Sequence, residues 1–276
     1  MTRRFKQVDV FTDRAFLGNP VAVVLDAEGL DTAQMQRIAG WTNLSETTFV
    51  LPSSVADYRL RIFTPRQELP FAGHPTIGSA HAVLEAGICS RKPKLVQECG
   101  AGLIELTVEE GTLFLRGPQP KISVAANPGS SFGVPLKPAA PLLRVDVGPV
   151  WVVGEAADAA ALAALEPDMS ALGEWTDSLH ATGLTVFAPS GESKSGIHVR
   201  SFAPAHGIPE DPVCGSGNLS VAAYLRHNGD RRFGDAYAAR QGMQLGRDGR
   251  VQVRIAKESL QIGGRAVTCV DGTLNA

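Results

Sequence analysis

The chain carries almost no net charge: 26 Lys and Arg against 28 Asp and Glu leave −2. That balance builds no basic field for nucleic acid or for an anionic membrane surface. No apolar run reaches the roughly 18 residues that a membrane span requires. The first residues, Met1 to Asp13, are charged and lack the apolar core of a secretory signal. Cysteine is scarce: Cys89, Cys99, Cys214 and Cys269 show no CxxC spacing, and the six histidines show no HxH or HxxxH spacing. A zinc site or redox pair therefore has no sequence support, and the expectation is a cytoplasmic chain with reduced thiols and no metal. Neither GxxxxGK[ST] nor GxGxxG occurs, which leaves nucleotide binding without its usual loop.

What the chain does contain is a weak copy of itself. Arg61-Ile62-Phe63-Thr64-Pro65, Leu69-Pro70 and Gly78 reappear as Arg200-Ser201-Phe202-Ala203-Pro204, Ile208-Pro209 and Gly217. Each copy reads as a strand, a Pro-containing loop, a Gly-rich turn and an apolar helix. The offset of 139 positions is half the chain, so two similar halves are expected. Two helix N-termini, with free N–H groups and partial positive charge, would then face a shared pocket suited to an anionic ligand.

The local patterns agree with an α+β chain. Strands are expected at 5–10, 21–25, 47–51, 58–62, 103–108 and 112–116. Asp31 caps a helix carrying Met35, Ile38 and Ala39 on one face. A second helix opens at His74-Pro75-Thr76, runs through Glu85 and stops at Gly87. Residues 118–141, rich in Pro, Gly and Ser, read as a linker. The second half repeats the programme, with strands at 142–147, 150–153, 184–188 and 197–202, helices at 157–165 and 218–226, and strands again at 251–255, 259–262 and 266–270. Each half is expected to be a mostly antiparallel sheet or barrel around a central helix.

Three segments place polar residues among apolar ones. In Asn43-Leu44-Ser45-Glu46-Thr47, Glu46 enters a β-run. A carboxylate among apolar neighbours has a raised pKa and can serve as acid and base near neutrality. The alternative is a Glu paired with an Arg or capping backbone. In Phe71-Ala72-Gly73-His74-Pro75-Thr76, His74 stands at a helix start, which favours neutral imidazole. It could equally be an N-cap with a structural hydrogen bond. In Glu210-Asp211-Pro212-Val213-Cys214-Gly215-Ser216-Gly217, the Gly-Ser-Gly run offers backbone donors to a carboxylate or phosphate. Asp211 is either a catalytic partner or a turn residue before Pro212. Cys214 has a depressed pKa if exposed, and is otherwise a small buried side chain. Adding the repeat offset to His74 gives Val213, beside Cys214 and two residues after Asp211, so each of the two repeated loops carries a proton-transfer candidate. Trp41, Trp151 and Trp175 read as core or interface residues.

These segments resemble the PhzF-like family of phenazine-biosynthesis isomerases, within the diaminopimelate epimerase fold. The resemblance rests on VDVFTDRAFLGNPVAVVLD, NLSETTFVLP, YRLRIFTPRQELPFAGHPTIGSAH and RSFAPAHGIPEDPVCGSGN, which span essentially the whole chain. It implies two lobes, 1–118 plus 265–276 and 119–264, with the site between them and the last strand returning to the first lobe. It implies a cofactor-independent isomerase acting on a small carboxylate such as a dihydro-hydroxyanthranilate-like compound, and a homodimer. By the same resemblance Glu46 shuttles the proton, and His74 and Asp211 assist protonation or orient substrate. Asn19, Ser45, Gly73, Pro75, Thr76, Cys214, Gly215, Ser216 and Gly217 are the expected substrate contacts. Two departures stand out. Cys214 replaces a frequent Thr, and Asn218 follows Gly217 where small residues or a histidine are common. The related epimerases and proline racemases use two cysteines, of which the first maps near Gly73 here. An epimerase relying on Cys214 is one alternative, and a non-catalytic binder of small acids is another.

Overall fold

The computed structural model describes residues 1–128, 133–192 and 195–276. The chain divides into two compact units, Met1–Leu115 with Gly263–Ala276, and Arg116–Ile262.

In unit 1, β1 (Thr2–Val10) pairs antiparallel with β2 (Asn19–Val24), and α1 (Thr32–Thr42) leads to β3 (Thr47–Leu51), parallel to β2. β4 (Tyr58–Phe63) is antiparallel to β3, and the short β5 (Glu68–Leu69) folds back on β4. α2 (Gly73–Glu85) then crosses to β6 (Lys94–Cys99), parallel to β4, and β7 (Gly102–Glu109) and β8 (Thr112–Arg116) follow as a meander. The β7–β8 turn places Glu110 at φ 48° and Gly111 at φ 82°, as the hairpin reading requires.

In unit 2, β9 (Lys121–Val124) pairs with β10 (Leu143–Asp146), and β10 with β11 (Val150–Glu155), both antiparallel. α3 (Ala159–Ala163) and α4 (Met169–Ser178) precede β12 (Gly183–Glu192), which is parallel to β11. β13 (Ser195–Ala203) is antiparallel to β12 and β14 (Ile208–Asp211) folds back on it. α5 (Gly215–His227) crosses to β15 (Ala236–Gln241), parallel to β13, before β16 (Gly249–Ile255) and β17 (Leu260–Gly264). β18 (Ala266–Asn275) lies antiparallel on β1 in unit 1. The ladder directions from β10 to β16 repeat those from β1 to β7. The sequence repeat is thus a repeat of topology, and the fold is α+β with mostly antiparallel pairing.

Why each unit wraps a helix follows from composition. α2 and α5 are built mostly from Gly, Ala, Ser and aliphatic residues and are buried over most of their length, the pattern of a helix inside a core. At Gly78 a Cβ would come within 2.4 Å of Val21 Cγ1 and 2.8 Å of Val10 Cγ2, so α2 lies directly on β1 and β2. The other face of that sheet carries α1, through Met35 and Ala39 packed with Val24, Phe49 and Phe63. Asp31 and Gln34 form the capping box that starts α1.

Several expectations need correction. The stretch 118–141 is not a bare linker: it contains β9, while its residues 129–132 lie outside the described residues. α5 begins at Gly215, three residues before the expected start, so Gly215, Ser216 and Gly217 are its first turn. α3 is shorter than 157–165, because the helix ends before Glu166-Pro167, where proline disfavours helical geometry. β5, β6, β14, β15 and α4 had no counterpart in the sequence reading. Among the described residues no helix is long and apolar enough to cross a membrane.

Candidate active site

Glu46 is set by the end of α1. Asn43 closes that helix in the left-handed conformation, φ 54° and ψ 26°, and turns the chain toward β3. The Glu46 carbonyl accepts from Ala22 N–H of β2 at 3.4 Å, which anchors its backbone to the sheet. Its side chain is 15% exposed, and Oε2 is buried without a hydrogen-bond partner. Burial pushes the Glu46 carboxyl up to about 7, opposed by a hydrogen bond from exposed Ser45. Its ion-pair-distance neighbour is His74, with Nε2 3.4 Å from Oε2, rather than an arginine.

His74 is the second residue of α2, not its cap. Ala72 occupies the N-cap and supplies no side-chain cap, so the helix start retains donor capacity and partial positive charge beside Gly73 and His74. Pro75 and Thr76 are buried in the same turn. The Thr76 hydroxyl accepts from Gln97 Nε2 at 3.2 Å, and Gln97 Oε1 accepts from Tyr58 at 3.1 Å. Thr76 therefore ties the α2 start to β4 and β6. Asn19 is 2% exposed at the first residue of β2.

In unit 2, Asp211 ends β14 and its Oδ1 accepts from Val213 N–H at 3.0 Å, which is the turn bond expected around Pro212. Cys214 caps α5: its Sγ accepts from Gly217 N–H at 3.2 Å and lies 3.5 Å from Ser216 Oγ. The thiol is 4% exposed, and burial together with the neighbouring Asp211 carboxylate pushes it well up. The depressed pKa expected of an exposed Cys214 does not occur. Gly215 and Gly217 are buried, whereas Ser216 is half-buried. Only glycine fits at 217, since a Cβ would lie 2.6 Å from Ser201 Oγ and 2.9 Å from Thr185 Oγ1.

The structure also corrects the register of the repeat. Twelve residues separate Arg61 from Gly73 and fifteen separate Arg200 from Gly215, the extra ones being taken up by the 3-10 turn Pro204–His206 and a longer β14. By helix position His74 therefore matches Ser216, not Val213, and Cys214 matches Ala72. A second thiol at the matching helix cap is absent, which removes the support for a paired-cysteine epimerase.

Two glutamines and two ion pairs escaped sequence reasoning. Gln241 is fully buried on β15; its Oε1 accepts from Cys214 N–H at 3.1 Å and Asn218 Nδ2 at 2.9 Å, and its Nε2 donates to the Asp211 carbonyl at 3.0 Å. It thus fastens the segment from Asp211 to Asn218, as Gln97 fastens Thr76. Arg61 grips Glu68 bidentately and stacks on Phe63, and Arg200 does the same with Glu210 and Phe202. The repeated Arg-x-Phe was the available signal; neither glutamine had one.

The site thus sets a buried carboxyl shifted toward neutrality beside a histidine at a helix start, and the class of the protein, by the proteins it matches, is an isomerase. The chain belongs to the phenazine biosynthesis-like (PhzC-PhzF) family, whose family model matches residues 8–272. It is 40% identical to the protein named antisense-enhancing sequence 1 of Schizosaccharomyces pombe, over 97% of each chain. It is 34% identical to trans-2,3-dihydro-3-hydroxyanthranilate isomerase of Pseudomonas chlororaphis, again over 97% of each. The PhzF-family crystal structure from Bacillus anthracis covers 100% of both chains at 28% identity with a TM-score of 0.91.

Proposed function

We propose that this protein is a cofactor-independent isomerase that moves a proton on a small carboxylic acid of the dihydro-hydroxyanthranilate kind, with Glu46 as general base and then general acid. The observation that carries this reading is the Glu46 carboxylate, buried with an unpartnered oxygen 3.4 Å from His74 Nε2. A carboxylate that is half-ionised near neutral pH both takes and returns a proton without a large energetic mismatch. Glu46 takes the proton from one carbon, the electron pair shifts through the conjugated system, and the protonated Glu46 returns a proton at another carbon. His74 steadies the charge on Glu46. Asp211 orients the substrate, and the turn Cys214–Gly217 with Gly73 supplies N–H groups to its carboxylate. Asn19, Ser45, Pro75 and Thr76 complete the contacts, and the working assembly is a homodimer.

The test is solvent deuterium uptake followed by NMR in D₂O, with trans-2,3-dihydro-3-hydroxyanthranilate at the head of a panel of dihydroaromatic and amino acids. Deuterium at the new C–H and a loss of about 10²–10⁴-fold in Glu46→Gln are expected. Turnover of Glu46→Gln near the wild-type rate rejects the assignment. Sedimentation of the protein as a monomer at the assay concentration rejects the dimer.

A further inference from the structure

Trp151, expected in the core or at an interface, is 3% exposed. Its one polar atom is nevertheless aimed: indole Nε1 donates to Ser216 Oγ at 2.9 Å. The space for this is built in. Trp151 lies opposite Gly183 in the β11–β12 ladder, and a Cβ on Gly183 would fall 2.9 Å from Trp151 Cζ3. Ser216 is the second residue of α5 and is half-buried, so its hydroxyl meets the indole on one side and remains reachable on the other.

The chemistry of the donors sets a direction. Indole N–H only donates, so the Ser216 oxygen must accept there, and its single hydrogen points elsewhere. The alternative acceptor within reach is Cys214 Sγ at 3.5 Å, a weak one that already receives Gly217 N–H at 3.2 Å. An arriving carboxylate is the stronger acceptor, because charge-assisted bonds are about twice as strong as neutral ones.

We infer that Trp151 is a positioning residue: it holds the Ser216 hydroxyl as a donor toward a small carboxylate bound at the start of α5, and the indole reports that binding. This rests on the functional reading above and deepens it by naming what sets the polarity of the carboxylate site.

The experiment uses the full chain with Trp41→Phe and Trp175→Phe, which leaves Trp151 as the sole indole. Benzoate and anthranilate are titrated while fluorescence is recorded, and the same titrations are run by calorimetry. Expected is a saturable change in Trp151 emission that matches the calorimetric midpoint and disappears in Ser216→Ala. Trp151→Phe in the wild-type background is expected to weaken carboxylate binding about tenfold, the size of one hydrogen bond to a charged ligand. With a turned-over substrate it raises KM and leaves kcat within about twofold. Calorimetric binding unchanged in Trp151→Phe, or emission that is silent while the carboxylate binds, overturns the positioning role and leaves the isomerase reading intact. Absence of carboxylate binding by the wild-type protein overturns both. Where Trp151→Phe does not fold, the emission change and its loss in Ser216→Ala decide alone.

Discussion

Glu46 is placed where its charge is costly, and that cost has a sign. Its folded-state pKa, about 7, lies above the ordinary 4.5. The folded state therefore holds the proton more tightly than the unfolded chain. The contribution to stability is full below about pH 4.5 and is lost as pH rises to 7, amounting to roughly 3 kcal/mol by linkage. Replacing Glu46 by Gln removes the charge from that site. Thermal unfolding should show Glu46→Gln and wild type close together at pH 4.5, with the variant ahead by several degrees at pH 8. A gap that does not grow with pH means the carboxylate is well solvated. The same group predicts a rising limb in kcat/KM with an apparent pKa near 7, absent from any residual activity of Glu46→Gln. Much of this was legible in the sequence, because a Glu between a helix and a β-run has apolar neighbours. The burial of Cys214 was one of its two readings, but the partner that fastens its backbone, Gln241, was not legible, because it reaches the loop from a strand with no motif.

At the scale of elements, the two central helices were visible as Gly-rich starts followed by small apolar residues, and both exist. Small residues matter here because the sheet lies directly on the helix. Gly78→Ala drives a methyl toward two β-branched valines, Val21 and Val10, that are themselves fully buried. Overpacking of that kind costs about 1–3 kcal/mol, to be read as a lower midpoint in urea with an unchanged m-value. At the surface, Asp31→Ala breaks the capping box of α1 and should cost about 1 kcal/mol by the same assay. The elements that the sequence hid share a physical cause. β14 is four residues of Ile-Pro-Glu-Asp without alternation, and it exists because Arg200 and Glu210 clamp it to β13. The three-residue slip between the copies was hidden for a related reason: strands kept the 139-residue offset while the loop between strand and helix lengthened.

For the whole molecule, the repeated order of ladders explains how one short motif set specified nearly all of the architecture: Arg, Phe, Pro and Gly recur where geometry admits few substitutes. Gln97 and Gln241 occupy corresponding parallel strands and fasten corresponding helix starts, so Gln97→Leu and Gln241→Leu should each destabilise by about 1–3 kcal/mol through buried polar groups left unpaired. Unfolding in urea with wild-type midpoints for both variants contradicts that role.

Pairing of β18 with β1 has a consequence in time. Synthesis delivers all of unit 2, residues 116–262, before it delivers the strand that covers β1 in unit 1. Until that strand arrives, unit 1 keeps an open sheet edge at β1, the state most exposed to wrong pairing. Chains ending at residue 262 and released from the ribosome should therefore show a protease-resistant unit 2 beside a labile unit 1.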